Sequence, residues 1–146
     1  MTVEAIHLGE EGVPELWPVE SVTAVAGQGL EGDRHFHPEG APPGQAITLV
    51  DAAEVERVGL PPGATRRQVT VRGVDVNRLV GKRFRVGDVE CYGVELCEPC
   101  LHLESMTRPG IIKDLVHRAG LNADILVGGT IHVGDQVIEL SDTDGV

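Results

Sequence analysis

From Val3 to Leu8 apolar and polar residues alternate, the period of a strand with one buried face. Val19 to Ala26 repeats that pattern and predicts a second strand, broken by Gly27, Gly29 and Gly32. The segment from Gly32 to Gly44 carries Asp33, Arg34, His35, His37 and three prolines. It suits no regular element, and a polar loop of this kind in a compact domain is a place where function resides. Ala46 to Val50 reads as a short buried strand. Asp51, with Glu54 three residues on, forms a capping-box pattern that opens a short helix to about Val58. Pro61, Pro62 and Gly63 close that helix. Val69 to Val71 predicts a strand, and Val76 to Val80 a single helical turn.

A local repeat follows. Residues 81–89 read GKRFRVGDV and residues 129–137 read GTIHVGDQV. In each a Gly-Asp turn joins two alternating segments, which predicts two β-hairpins. The second pairs Thr130–Val133 with Gln136–Leu140. Between the two lie a strand over Val89–Leu96, a Cys-Glu-Pro-Cys turn, a helix around Ile111–Arg118 and a strand over Ala123–Val127. About eight to ten short strands and two or three short helices describe a mainly β chain, folded as a barrel.

Length and composition narrow this picture. At 146 residues, one domain over the whole chain is the expectation. Twelve basic against 23 acidic residues give a net charge of −11, which argues against nucleic acid or an anionic membrane as partner. The aromatic residues are only Trp17, Phe36, Phe84 and Tyr92, too few for a base-stacking platform. No secretion signal or apolar run of bilayer length is visible. An odd count of three cysteines then reads as reduced thiols in a cytoplasmic protein.

The charge is unevenly placed. No Lys or Arg precedes Arg34, whereas Arg66, Arg67, Arg72, Arg78, Lys82, Arg83 and Arg85 crowd into one stretch. Such a concentration suits either a small anionic ligand or a solvated strand face. Three local signals bear on the choice. Gly32-Asp33-Arg34-His35 packs a carboxylate, a guanidinium and an imidazole into one turn. There Arg34 can grip a phosphate or carboxylate, and Asp33 can orient its neighbours. Arg66-Arg67-Gln68 combines cation forks with an amide. His37 reads as a solvated loop residue, and His7, His117 and His132 as surface or packing residues.

The third signal, Cys97-Glu98-Pro99-Cys100 followed by His102, admits four readings. It is half of a zinc site, a redox pair, a pair of buried small hydrophobes, or one reactive thiolate at a strand-to-helix turn. In the last reading Cys100 is better placed than Cys97, which ends the strand. A helix starting there would lower its pKa. Such a thiolate is a nucleophile, a sulfur carrier or a soft metal ligand. Cys91, inside a strand, reads as a packing residue.

Taken in order, the Gly-Asp-Arg-His turn, the Arg-Arg-Gln strand entry before Gly73, the Cys-x-Pro-Cys turn, Ala119-Gly120-Leu121-Asn122-Ala123 and the final Val-Gly-Asp segment resemble the MOSC domain, the molybdenum cofactor sulfurase C-terminal domain family. The resemblance covers about residues 19–140. It implies a single β-barrel of the pyruvate-kinase barrel type. It implies that Cys100 is the functional cysteine, ligating molybdenum of a molybdenum–pterin cofactor or carrying sulfur for it. Arg66 and Gln68 fall where relatives place an Arg and usually an Asn near the pterin. Arg34 and His35 match the family's N-terminal signature. Arg67, Cys97 and Glu98 complete the expected cofactor contacts. Pyridoxal phosphate is not expected for this chain. The expected partners are the anionic cofactor and a cofactor-handling or electron-donor protein. The activity implied is reduction of N-hydroxylated compounds or sulfur transfer. A non-catalytic barrel scaffold and a small zinc-binding module are the competing classes.

Overall fold

The first predicted strand forms, with a register shift between Val3 and Ala5 that interrupts its alternation. In the computed structural model, which describes residues 1–13, 15–98 and 101–140 with only the backbone of Leu101 and His102, β1 (Thr2–Gly9) buries Val3, Ile6 and Leu8. It is followed by β2 (Leu16–Val19), β3 (Ser21–Val25), β4 (Gly29–Leu30) and β5 (Ile47–Asp51). Next come α1 (Ala52–Arg57), β6 (Val69–Arg72), a 3-10 turn (Val76–Leu79), β7 (Arg83–Val86) and β8 (Val89–Leu96). The order ends with α2 (Leu101–Met106), α3 (Ile111–Leu115), β9 (Leu121–Val127), β10 (Gly129–His132) and β11 (Val137–Glu139).

The strands form an eight-stranded sheet, β11-β7-β8-β9-β5-β6-β1-β2, and a three-stranded sheet, β10-β3-β4. The β5–β6 pair, joined across α1, is parallel. The sheets share one core in which Ile6, Leu30, Ile47, Leu49, Phe84, Leu121 and Ile131 are fully buried. Each such side chain contributes about 1.5–3 kcal/mol through removal from water. A smaller cluster of Val58, Leu103, Ile111, Leu115 and Ala119 packs the helices together. Asp51 caps α1 as its sequence predicts, accepting from the Ala53 N–H at 2.9 Å.

Three expectations need correction. The chain is mainly β with three short α-helices, but among the described residues the strands do not close into a single barrel. β2 occupies the free edge of Ile6–Gly9, so only the first residues of β1 can reach round to the far end of the sheet. They do so through one bridge, Thr2 to Gln136, and through the 2.8 Å bonds that Val3 exchanges with Gly134 and Asp135. The same contact explains the second correction. The Val133-Gly134-Asp135 turn does not close a hairpin: β10 pairs with β3 in the small sheet and β11 with β7 in the large one. Asp135 caps the turn locally through the His132 N–H at 2.8 Å, and β1 holds it from outside. Thirdly, α3 stops at Leu115, because Glu98 captures the His117 N–H at 2.9 Å and pairs with its Nδ1.

β1 also buries one polar side chain. His7 is 6% exposed, and its Nδ1 has no hydrogen-bond partner among the described residues. Burial lowers its pKa below 6.5. The unfolded chain therefore binds this proton at a higher pH than the folded one. Stability contributed by the neutral ring is complete above 6.5 and is lost as pH falls towards the folded value. Urea unfolding of His7→Phe at pH 7.5 and 5.5 should show a shallower acid-side loss than wild type, by at most about 1.4 kcal/mol per pH unit. An unchanged acid slope would show that His7 does not carry this dependence.

Candidate functional site

A row of polar side chains crosses the outer face of the large sheet. Glu95 on β8 is the cross-strand partner of Asn122 on β9, and Asn122 is the partner of Thr48 on β5. Thr48 N–H donates to Gln68 Oε1 at 2.9 Å, and the Gln68 N–H returns a bond of 2.9 Å to Thr48 Oγ1. Gln68 Nε2 donates in turn to Asp33 Oδ2 at 2.7 Å. Asp33 is buried, and its carboxylate also accepts from the Gly9 N–H at 2.7 Å and the His35 N–H at 3.0 Å. A carboxylate taking three N–H donors locks the turn from Gly32 to His35 onto β1 and the entry to β6.

That lock presents Arg34 and His35. Arg34 Nε donates to His35 Nε2 at 3.3 Å, and its Nη1 donates to the Val13 carbonyl at 3.2 Å. With Nε2 accepting, the neutral ring carries its proton on Nδ1. Burial lowers the His35 pKa first of all; Asp33 pulls it back up, and Arg34, His37 and Arg66 lower it further. His35 is thereby favoured as a neutral imidazole beside guanidinium groups. Arg66 holds a left-handed backbone (φ 64°), a strained conformation for a non-glycine residue, with its Nη1 3.3 Å from Met106 Sδ on α2. Arg67 Nε donates to the Ala119 carbonyl at 2.8 Å.

These groups line one cavity of about 350 Å³, bounded by Arg34, His35, His37, Gln45, Arg66 and Arg67 above the row from Asp33 to Glu95. The volume is that of a small-molecule site. Five residues singled out from sequence, Arg34, His35, Arg66, Arg67 and Gln68, thus converge here. Gln68 does so with its oxygen and one N–H already committed to Thr48 and Asp33. His37, read from sequence as a solvated loop residue, lines the wall as well.

Other expected positions fall elsewhere. Cys97 is 5% exposed and stands behind the wall; its Sγ donates to Asn122 Oδ1 at 2.7 Å. Burial pushes its thiol pKa up, against a downward pull from Arg67. Glu98 is not among the lining residues and pairs with His117 at 3.1 Å. Cys100 lies outside the described residues; the described chain resumes with α2 at Leu101. Cys91 is fully buried in the core, where desolvation drives its thiol pKa far up. Among the described residues no group of three or more His, Cys, Asp and Glu could hold a metal ion.

The cationic stretch is divided by the fold. Arg66 and Arg67 reach the cavity, but Arg72 bridges Glu4 and Glu56, Arg83 meets Glu90 at 3.3 Å and Arg78 faces Glu139 at 3.8 Å. Glu95, Asn122 and Thr48 were not evident as site residues from sequence. Asn122 alone had a local signal, in the Ala-Gly-Leu-Asn-Ala segment.

No helix among the described residues is long and apolar enough to cross a membrane. The fold is similar to that of the YuaD protein from Bacillus subtilis, with a TM-score of 0.77 and 18% identity over 93% of both chains. It is also similar to YiiM from Geobacillus stearothermophilus (TM-score 0.74, 19% identity, 96% of this chain and 75% of that one). YiiM from Escherichia coli matches with a TM-score of 0.65 at 14% identity, over 98% of this chain and 71% of that one. At these identities the likeness is one of fold. No curated protein sequence matches the chain. The model of the MOSC domain matches residues 31–138, a span that holds the Arg34 turn, the Arg66–Gln68 strand entry and Asn122. By that match the chain belongs to the MOSC domain family, which is associated with molybdenum cofactor-related proteins.

Proposed function

We propose that the cavity binds an anionic molybdenum–pterin cofactor, with Cys100 as the thiolate that ligates its metal or carries sulfur for it. The observation behind this reading is the convergence of three guanidinium groups, Arg34, Arg66 and Arg67, on one small-molecule cavity of a chain with net charge −11. The donor chemistry fits the group. Guanidinium forks match a phosphate, and His35 and the Thr48–Gln68–Asn122 floor offer hydrogen bonds to a heterocycle. Arg34 and Arg67 are each anchored by neutral acceptors, so their charge faces the cavity without a carboxylate partner among the described residues. When bound, the cofactor would supply a redox-active metal centre. The chain's part is to hold its anionic arm, orient its ring and offer one thiol. The reading sets the protein in the cytoplasm, where thiols stay reduced. Reduction of an N-hydroxylated substrate would need an electron-donor protein, whereas sulfur transfer would need a cofactor-handling one.

Molybdenum and pterin per chain, measured after expression in a cofactor-competent host, test the reading. Wild type should carry both in comparable amounts. Arg34→Gln with Arg66→Gln should lower both by about tenfold or more, as expected for losing two charge-assisted contacts. Cys100→Ser should lose molybdenum or sulfur loading in preference to pterin. Near-zero occupancy in wild type, unchanged in Cys100→Ser, would overturn the proposal. Stoichiometric zinc that disappears in Cys97→Ser would replace it with a zinc-binding module.

A further inference from the structure

The polar floor has two chemically different ends. At one end stand Arg34, His35 and Arg66; at the other, three strand steps away across β6, β5, β9 and β8, stands Glu95. At ordinary strand spacing these ends are about 14 Å apart. Glu95 reaches the cavity only because β8 is irregular. Val89, Cys91 and Gly93 are buried on the core side, so simple alternation would send Glu95 to that side too. The register shifts between Gly93 and Glu95, pairing Gly93 with Ala123 but Glu95 with Asn122. This bulge moves the carboxylate to the outer face, beside the amide that faces the cavity. Among the described residues the Glu95 carboxylate accepts one long hydrogen bond, from Asn122 Nδ2 at 3.4 Å. It stands in no ion pair there.

We infer that Glu95 is a specificity-determining residue, which reads the N–H donor edge of a heterocycle whose anionic arm is held by the arginines. This deepens the cofactor reading and rests on it. A carboxylate accepts two parallel N–H bonds from an amino group and an adjacent ring N–H, the edge displayed by a 2-amino-4-oxo pyrimidine ring. It repels a ring that shows a carbonyl at the amino position. Phosphate held at the arginine end sets the register, so the far edge of a two-ring heterocycle meets Glu95.

Fluorescence titration with 6-hydroxymethylpterin phosphate and with the corresponding lumazine phosphate, in which an oxo group replaces the 2-amino group, tests this. Wild type should bind the pterin at least about tenfold tighter than the lumazine, as a charge-assisted donor pair would give. Glu95→Gln should bring the ratio to about one, chiefly by weakening the pterin, whereas Arg34→Gln should weaken both ligands alike. A purely structural role for Glu95 would change both affinities together and leave the ratio. A ratio near one in wild type, or one that Glu95→Gln does not alter, overturns the assignment while the cofactor reading stands. Failure of wild type to bind either ligand at millimolar concentration overturns the cofactor reading and this inference with it.

Discussion

Asp33→Ala should destabilise the domain by about 3–5 kcal/mol in urea unfolding, since it strands several buried donors at once. The carboxylate is 7% exposed and accepts from the Gly9 N–H, the His35 N–H and Gln68 Nε2 at 2.7, 3.0 and 2.7 Å. Asp33→Asn keeps the shape but turns one acceptor into a donor pointing at other donors, and should cost about 2–3 kcal/mol. The same change frees the turn that presents Arg34 and His35 and removes the partner that orients Gln68. Ligand affinity should therefore fall along with stability. A loss below about 1 kcal/mol for Asp33→Ala would mean that backbone bonds, such as that from the Arg34 N–H to the Gly9 carbonyl at 2.8 Å, suffice to hold the turn.

The second large effect is expected at Gly120, where the chain enters β9. Its φ is +119°, and a Cβ there would stand 2.4 Å from the Leu49 carbonyl oxygen. Leu49 is the ladder partner of Leu121, so relief requires β5 and β9 to separate. Backbone strain and overpacking together should make Gly120→Ala cost about 3–5 kcal/mol, a large fraction of the about 5–15 kcal/mol that holds a domain folded. Gly81→Ala is the control: φ is +75° there, but nothing lies within 4 Å of the added carbon, so only strain is felt. A comparable loss in both variants would show that the close approach to Leu49 contributes nothing. Gly120 also serves the site. Its carbonyl accepts from the Cys97 N–H at 2.8 Å, and the preceding carbonyl of Ala119 anchors Arg67 at 2.8 Å. Folded Gly120→Ala protein should therefore hold Arg67 and the Cys97–Asn122 contact less firmly.

Much of the fold was legible because it depends on neighbours in sequence. The presence of β1, the Asp51 cap of α1 and the hairpin of β7 with β8 were all readable. Each is set by backbone period or by a bond between residues a few positions apart. The second Val-Gly-Asp segment misled for the opposite reason. It is as turn-like as the first, but its arms are claimed by β3 and β7, strands distant in the chain. The candidate site divides in the same way. Arg34, His35, Arg66, Arg67 and Gln68 were recognisable by chemical type, whereas Glu95 was not, since only the bulge in β8 brings it to the cavity. The basic run from Arg66 to Arg85 looked like one feature, yet the fold gave Arg72 and Arg83 carboxylate partners from β1, α1 and β8 and brought Arg66 and Arg67 to the cavity.

By itself, then, the sequence determined a mainly β chain, the position of most strands, and the residue types able to hold an anion, because alternation, capping and charge are local properties. Tertiary structure alone decided that the strands form two sheets and that the basic run divides. It also decided that Arg34 and Arg66 share a wall. The contacts that join them include a buried hydrogen bond from Gln68 to Asp33 across 35 residues of chain and the bonds of both segments to β1, a network whose donors and acceptors must be matched once water is excluded.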